Sequence, residues 1–213
     1  MALLLVRQLY IACLTLPKNG IYITTQILLF SEKYKVIEHD QPNFITLTVV
    51  GWVDLFVHPV YTKILDESFQ YCITSKGLLI HAYVYMTSHL HLIVSSQKED
   101  INTIIRDFKK HTSKKLIEAI IEHPESRREW QLNKFTYEAK RIKRNTKYKV
   151  WRDGFHPVLL DTYKKWEQRV NYIHHNPVDA QFVYHERDWK NSSYAAYEEG
   201  NQEQTNIKVH PLW

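Results

Sequence analysis

The sequence predicts an α+β domain built around an antiparallel sheet, and three observations carry that reading. Residues 43–50, NFITLTVV, and 78–86, LLIHAYVYM, are apolar runs rich in β-branched and aromatic residues, the composition of buried strands. Residues 89–95 resume the pattern after only Thr87-Ser88, a link short enough for a hairpin. Residues 59–76 and 101–121 instead space their apolar positions by three and four, the period of an amphipathic helix. Strand, helix, strand, strand, helix is an order that closes on a sheet with helices packed against it.

Each element has local reasons. The first strand stops at Gly51. The helix that follows carries Val60, Ile64, Leu65, Phe69 and Ile73, and Gly77 stands where a left-handed cap ends a helix. The next helical stretch carries Ile101, Ile104, Ile105, Phe108, Leu116, Ile120 and Ile121, over one helix or two. Residues 124–150 are polar and strongly basic. WRDGFHPVLL, 151–160, holds a turn at Asp153-Gly154 and a short apolar run. DTYKKWEQRVNYIHHNP reads as a late helix, capped by Asp161 or Thr162, with Trp166, Val170 and Ile173 as its core stripe and Pro177 at its end. DWKNSSYAAY reads as a small docked segment.

Bulk composition sets the class. A chain of 213 residues fits one domain with appendages, and 44% hydrophobic with 24% charged residues is ordinary for a folded soluble protein. The net charge is +5, with 14 tyrosines and 6 tryptophans, a combination that suits nucleic acid, since phosphates take Lys and Arg while unstacked bases take ring faces. Two isolated cysteines, Cys13 and Cys72, form neither a disulfide framework nor a zinc knuckle, which points to a cytoplasmic setting. No apolar run reaches the length of a membrane span. The opening MALLLVRQLYIACLTL lacks a basic leader region and is interrupted by Arg7, so residues 1–38 are expected to be an extension, residues 39–200 the domain proper and residues 201–213 a tail.

Two short patterns carry chemistry. His89 and His91 are two apart on a strand, so both imidazoles share one face while Leu90, Leu92 and Val94 share the other. Positions two apart are about 6.6 Å apart at Cα, close enough for both rings to meet one metal ion. Alone, such a pair reads more simply as two solvent-facing polar residues. Tyr172 and Asn176 are four apart on the late helix and therefore share a face. A carboxamide oxygen can ligate Mg²⁺ or Mn²⁺, and a phenolate is a competent nucleophile at phosphorus. Alone, this pair too has a plainer reading, with Asn176 as the helix cap before proline. His175 could line the same side and is given no chemical role. No GxxxxGK[ST] loop and no triad-like serine or cysteine competes.

Two basic stretches are candidate nucleic-acid tracks. KRIKRNTKYKVWR, 140–152, interleaves Lys140, Arg141, Lys143, Arg144, Lys147, Lys149 and Arg152 with Tyr148 and Trp151. FKKHTSKK, 108–115, offers Lys109 and Lys110, and reads equally as a solvated helix face.

Taken together, AYVYMTSHLHLIV, FKKHTSKKL, VWRDGFHPVLL, YIHHNPV and DWKNSSYAAY, in this order, resemble the single-tyrosine HUH transposases of the IS200-like family, in particular the REP-associated tyrosine transposase branch. The resemblance covers roughly residues 40–200. It implies a ferredoxin-like antiparallel sheet with helices on one face, the histidine pair on a central strand, and the tyrosine on a late helix. It implies that His89 and His91 bind a divalent metal, Mg²⁺ or Mn²⁺, with Asn176 as the third ligand, and that Tyr172 is the nucleophile. The expected activity is cleavage and rejoining of single-stranded DNA flanked by a hairpin or inverted repeat, through a 5′-phosphotyrosine, by a monomer or homodimer. The alternatives are a non-catalytic hairpin-DNA-binding relative and an H-x-H metallohydrolase. Where the family often has Pro-Asn or Pro-Glu before the first histidine, this chain has Thr87-Ser88.

Overall fold

A computed structural model describes residues 35–142 and 146–213. Four strands form one sheet, β1 (Asn43–Thr48), β2 (Leu78–Tyr85), β3 (His89–Ser96) and β4 (Val158–Leu159), in the spatial order β2-β3-β1-β4. Every neighbouring pair is antiparallel. The helices are α1 (Pro59–Lys76), α2 (Ile101–Glu122), α3 (Arg128–Arg141), α4 (Tyr163–Asp179) and the short α5 (Tyr194–Glu198). The α+β class and the late helix are as the sequence predicts, and β3 is central as the family resemblance implies.

The alternation of side chains divides the core in two. Ile45 and Leu47 of β1, and Leu90, Leu92 and Val94 of β3, point to the face covered by α1 and α2. Phe44 of β1 and Ile93 of β3 point to the opposite face. There they meet Ala82, Val84 and Met86 together with Val170 and Ile173 of α4. Helices α1 and α2 thus form the expected layer on one face. The late helix adds a second layer on the other, because its stripe of Val170, Ile173 and Pro177 must also be buried. Strand β2 serves both cores through a bulge at His81, where the pairing shifts between Ile80 and Ala82. The ring of His81 is held there by Ser95 Oγ and the carbonyl of His210, each at 2.8 Å.

Chain segments pair along the outer sides of both β2 and β1. Along the free edge of β2, Tyr85 N donates to Asn191 O, Ser193 N to Tyr83 O and His210 N to Ile80 O. Ile207 and Val209 pack into the core. At the other edge, β4 pairs with the start of β1, and the strand is continued by Arg152 N to Thr48 O and Thr46 N to Phe155 O. Val36 is buried, and Asn102 binds its backbone N and O.

Two features differ from the sequence reading, and one alternative it left open is decided. Residues 128–141, within the basic stretch, form a helix whose buried Phe135 and Ala139 and half-buried Leu132 keep helical spacing under a heavy charge load. Residues 101–122 are one continuous helix. Pro177 lies inside α4 and does not end it: the ring is buried, and the ladder resumes with Ala180 N donating to Asn176 O. Asn176 is therefore a helix-interior residue and not the cap. Among the described residues no helix is long and apolar enough to cross a membrane.

Gly77 caps α1 at φ 74°, with its N–H on Cys72 O, as the sequence predicts. A Cβ there would lie 2.7 Å from the Lys98 side chain. Gly77→Ala is expected to cost about 1–2 kcal/mol, because the left-handed backbone disfavours any L side chain. It should lower the urea midpoint without changing the slope of the transition.

Candidate active site

The histidine pair stands where β3 leaves its hairpin. Met86 N donates to His89 O across the Thr87-Ser88 turn. That turn is tied to the loop after β1 by Val49 N to Ser88 O, Phe56 N to Thr87 O and the Thr87 hydroxyl to Asp54. Thr87-Ser88 therefore supports the turn through its hydroxyls and carbonyls. His89 and His91 face away from the Leu90, Leu92, Val94 side, and their ring centroids are 4.8 Å apart.

Each imidazole has its Nδ1 beside a hydroxyl. His91 Nδ1 lies 2.9 Å from Thr46 Oγ1, its cross-strand partner in register, and His89 Nδ1 lies 3.3 Å from Ser88 Oγ. Phe44 stacks on the His91 ring at 5.4 Å. Burial pushes the His91 pKa down to about 3, with the neighbouring His89 and Arg169 adding to the effect, and burial lowers His89 as well. Both rings are thus kept neutral, the form that ligates a metal.

Helix α4 brings the phenol. Thr162 caps it by accepting from Lys165 N. With Val170 and Ile173 anchored in the core, Arg169, Tyr172 and Asn176 follow at i, i+3 and i+7 along an adjoining stripe. The Tyr172 hydroxyl sits 3.3 Å from His91 Nε2, and the two ring centroids are 5.2 Å apart. Tyr172 keeps 38% of its surface exposed, so its ring is reachable from solvent. The Arg169 guanidinium lies 4.8 Å from the Phe44 ring and 5.9 Å from the Tyr172 ring. Asn176 is half-buried one turn beyond Tyr172. Its neighbours take no part: His174 is buried against Ser193 Oγ at 2.9 Å, where burial lowers its pKa to about 4, and His175 pairs with Glu186 and Asp179.

The residues fit a divalent cation in part. With both Nδ1 atoms beside hydroxyls, the Nε2 atoms are the ones turned to ligation, and that of His91 is in contact with the Tyr172 hydroxyl. Among the described residues no group of three His, Cys, Asp or Glu side chains forms a metal-binding cluster. A third protein ligand would be the carboxamide of Asn176.

The basic stretches separate by role. Lys143 and Arg144 lie outside the described residues. Lys140 and Arg141 end α3, with Arg141 paired to Glu138. Lys109, Lys110, Lys147, Lys149 and Arg152 all line one groove of about 690 Å³ between α2 and residues 146–155. Sequence reading kept the two stretches apart; the fold joins them, and adds Arg106 and Lys114 to the same wall. Two of these cations are tied inward. Lys149 is buried and bonded to Asp153 at 2.7 Å. Lys109 Nζ donates to Gly154 O at 2.6 Å and Arg152 O at 3.0 Å, and burial lowers its pKa to about 8.

Sequence reading missed Thr46, Phe44, Arg169 and Trp52. Thr46 and Phe44 were legible only as strand residues. Arg169 could have been found from its three-residue spacing to Tyr172.

Residues 53–139 match the family model described as transposase IS200 like. That segment, about two fifths of the chain, is similar to the IS200-like transposases. The matched segment includes both histidines and stops before α4, so Tyr172 and Asn176 lie beyond it. Among solved structures, the chain is similar to a REP-associated tyrosine transposase bound to a REP hairpin, at 16% identity and a TM-score of 0.52, over 76% of this chain and 79% of that one. At that identity the likeness is one of fold. A bacterial tRNA(His) guanylyltransferase-like protein in complex with ATP matches at 7% identity and a TM-score of 0.37, over 86% of this chain and 78% of that one. No curated protein matches the sequence.

Lys109 acts on the edge segment as a strap. Lys109→Met leaves two carbonyls without their charged donor and is expected to cost about 1–2 kcal/mol. Lys110→Met, on the exposed side of the same helix, should stay within about 0.5 kcal/mol in the same thermal unfolding measurement.

Proposed function

We propose that this protein cleaves and rejoins single-stranded DNA flanked by a hairpin, as a tyrosine transposase of the REP-associated type, through a 5′-phosphotyrosine intermediate. The observation that carries the proposal is the Tyr172 hydroxyl, 3.3 Å from Nε2 of His91, which brings a solvent-reachable phenol to the H-x-H pair from 81 positions away in the chain.

Tyr172 Oη attacks the scissile phosphorus in line. The new bond joins the tyrosine to the 5′ side of the break, and the bond to the 3′ oxygen is lost, so that strand leaves with a free 3′-hydroxyl. The phosphotyrosine conserves the bond energy, and a 3′-hydroxyl from the same or another strand can attack it and reseal the DNA. His89, His91 and Asn176 would hold a divalent cation, Mg²⁺ or Mn²⁺, which when bound supplies positive charge to the phosphate and to the attacking oxygen. Thr46 orients His91 through Nδ1. Arg169, held over Phe44 and beside Tyr172, supplies a fixed cation on the protein's side of the reaction. Phe44 and the α4 stripe exclude water from beneath the phenol. The groove of Lys110, Lys147 and Arg152 binds phosphates further along the strand.

Wild-type protein mixed with hairpin-flanked single-stranded DNA and Mn²⁺ is expected to give a covalent protein–DNA species on a denaturing gel, and Tyr172→Phe none. Release of a free 5′-phosphate with no adduct would instead identify a metallohydrolase, and binding without cleavage a DNA-binding relative. Thr46→Val keeps the shape of the side chain and removes the hydroxyl from His91. It is expected to weaken Mn²⁺ binding by about 10- to 100-fold in a calorimetric titration, with the far-UV circular dichroism spectrum unchanged.

A further inference from the structure

The loop after β1 carries Trp52, which is 55% exposed although most large apolar side chains of this domain are buried. Its indole stands edge-on to His89, with ring centroids 5.4 Å apart and planes at 79°. Its backbone has φ 56°, directly after Gly51 at φ 64°. A left-handed backbone at an aromatic residue is strained, and such strain persists only where surrounding contacts over-determine it.

Those contacts are present on both sides of the indole. Trp52 N donates to Val49 O and Val50 N to Val150 O. Phe56 N reaches Thr87 O, the Arg127 guanidinium donates to Asp54 O, and Asp54 accepts from Thr87. Gly51 supplies the left-handed backbone that the turn needs, and the Lys134 side chain of α3 lies against it. The loop is therefore fixed to the histidine hairpin, to α3 and to the edge segment at once. The energy of the fold goes into holding a large apolar ring in solvent beside the H-x-H pair. A core role would have turned that ring inward, and a turn role would have been met by glycine or asparagine.

We infer that Trp52 is a nucleobase-stacking subsite, which takes the face of one unpaired base of the DNA strand next to the phosphate held at His89 and His91. The inference rests on the proposed function for the identity of its ligand and adds a residue outside the catalytic set. A pre-positioned indole stacks on any base, so it fixes the register of the strand without reading its sequence. It lies at the opposite end of the pair from Tyr172, which contacts His91. The phosphate at the site is then bracketed by a ring platform on one side and the nucleophile on the other.

The test is fluorescence anisotropy with a fluorescein-labelled DNA hairpin bearing single-stranded flanks, in EDTA, so that no metal or turnover is required. Trp52→Asn keeps a residue that tolerates the left-handed backbone and removes the ring; it is expected to weaken binding about tenfold or more. Trp52→Phe restores a ring and should bind within about threefold of wild type. An abasic residue stepped along the flank should weaken wild type by the same factor at one position and leave Trp52→Asn unaffected there. The inference is overturned if Trp52→Asn binds as wild type does, or if every abasic substitution costs it as much as wild type. Wild type that fails to bind the probe overturns the inference together with its substrate. Binding that depends on Trp52 without adduct formation in Mn²⁺ leaves the stacking site standing and removes the transferase reading.

Discussion

Strand β3 is buried on one face by α1 and α2, and Leu90, Leu92 and Val94 are the residues that face must have. Because successive side chains alternate, fixing those three in the helical core fixes His89 and His91 on the other face. A slip of one residue would put two imidazoles under the helices and three aliphatic side chains in the candidate site, which is why the register of β3 against β1 holds so much of the molecule. That register also sets Thr46 opposite His91 and Thr48 opposite His89. The helix that covers the second face is drawn there by the apolar stripe of Val170 and Ile173, and Tyr172 arrives with it.

The same sheet edge joins the chemistry to the charge. Residues 149–155 run beside β1, where Arg152 N donates to Thr48 O, the strand neighbour of His89. The carbonyl of Arg152 is held by Lys109 from α2. One short segment therefore forms a wall of the basic groove and a flank of the histidine strand. The cations of the two basic stretches divide accordingly: Lys109 and Lys149 are tied inward and shape the segment, while Lys110, Lys147 and Arg152 remain toward the groove. On the histidine face the charge is sparser. That face carries two neutral rings, one guanidinium and an exposed indole, without a large fixed charge of its own.

Local signals survived folding where they were strong and satisfied nearby. Gly77 ends α1, Thr162 starts α4, and Thr87-Ser88 turns the hairpin, because each depends on atoms within a few residues. Helix α3 was hidden because its buried Phe135 and Ala139 are embedded in Arg, Glu and Lys, so that charge masked the period. Pro177 looked like a terminus because proline removes one ladder bond, yet the packing of its ring and the bond from Ala180 to Asn176 carry the helix past it. The bulge at His81 left no mark in the sequence, since it exists to reconcile β2 with two different cores.

The sequence by itself determined the α+β class, the paired imidazoles on one strand face and the phenol and carboxamide on one helix face, since periods of two and 3.6 residues are properties of the backbone. Its ordered motifs pointed to the IS200-like transposases. Only the tertiary structure decided that the two faces meet, that the phenol reaches His91, and that Thr46, Arg169 and Trp52 stand around them. Those contacts join residues 45 and 81 positions apart, and strand register and helix packing, which no local period encodes, are what bring them within reach.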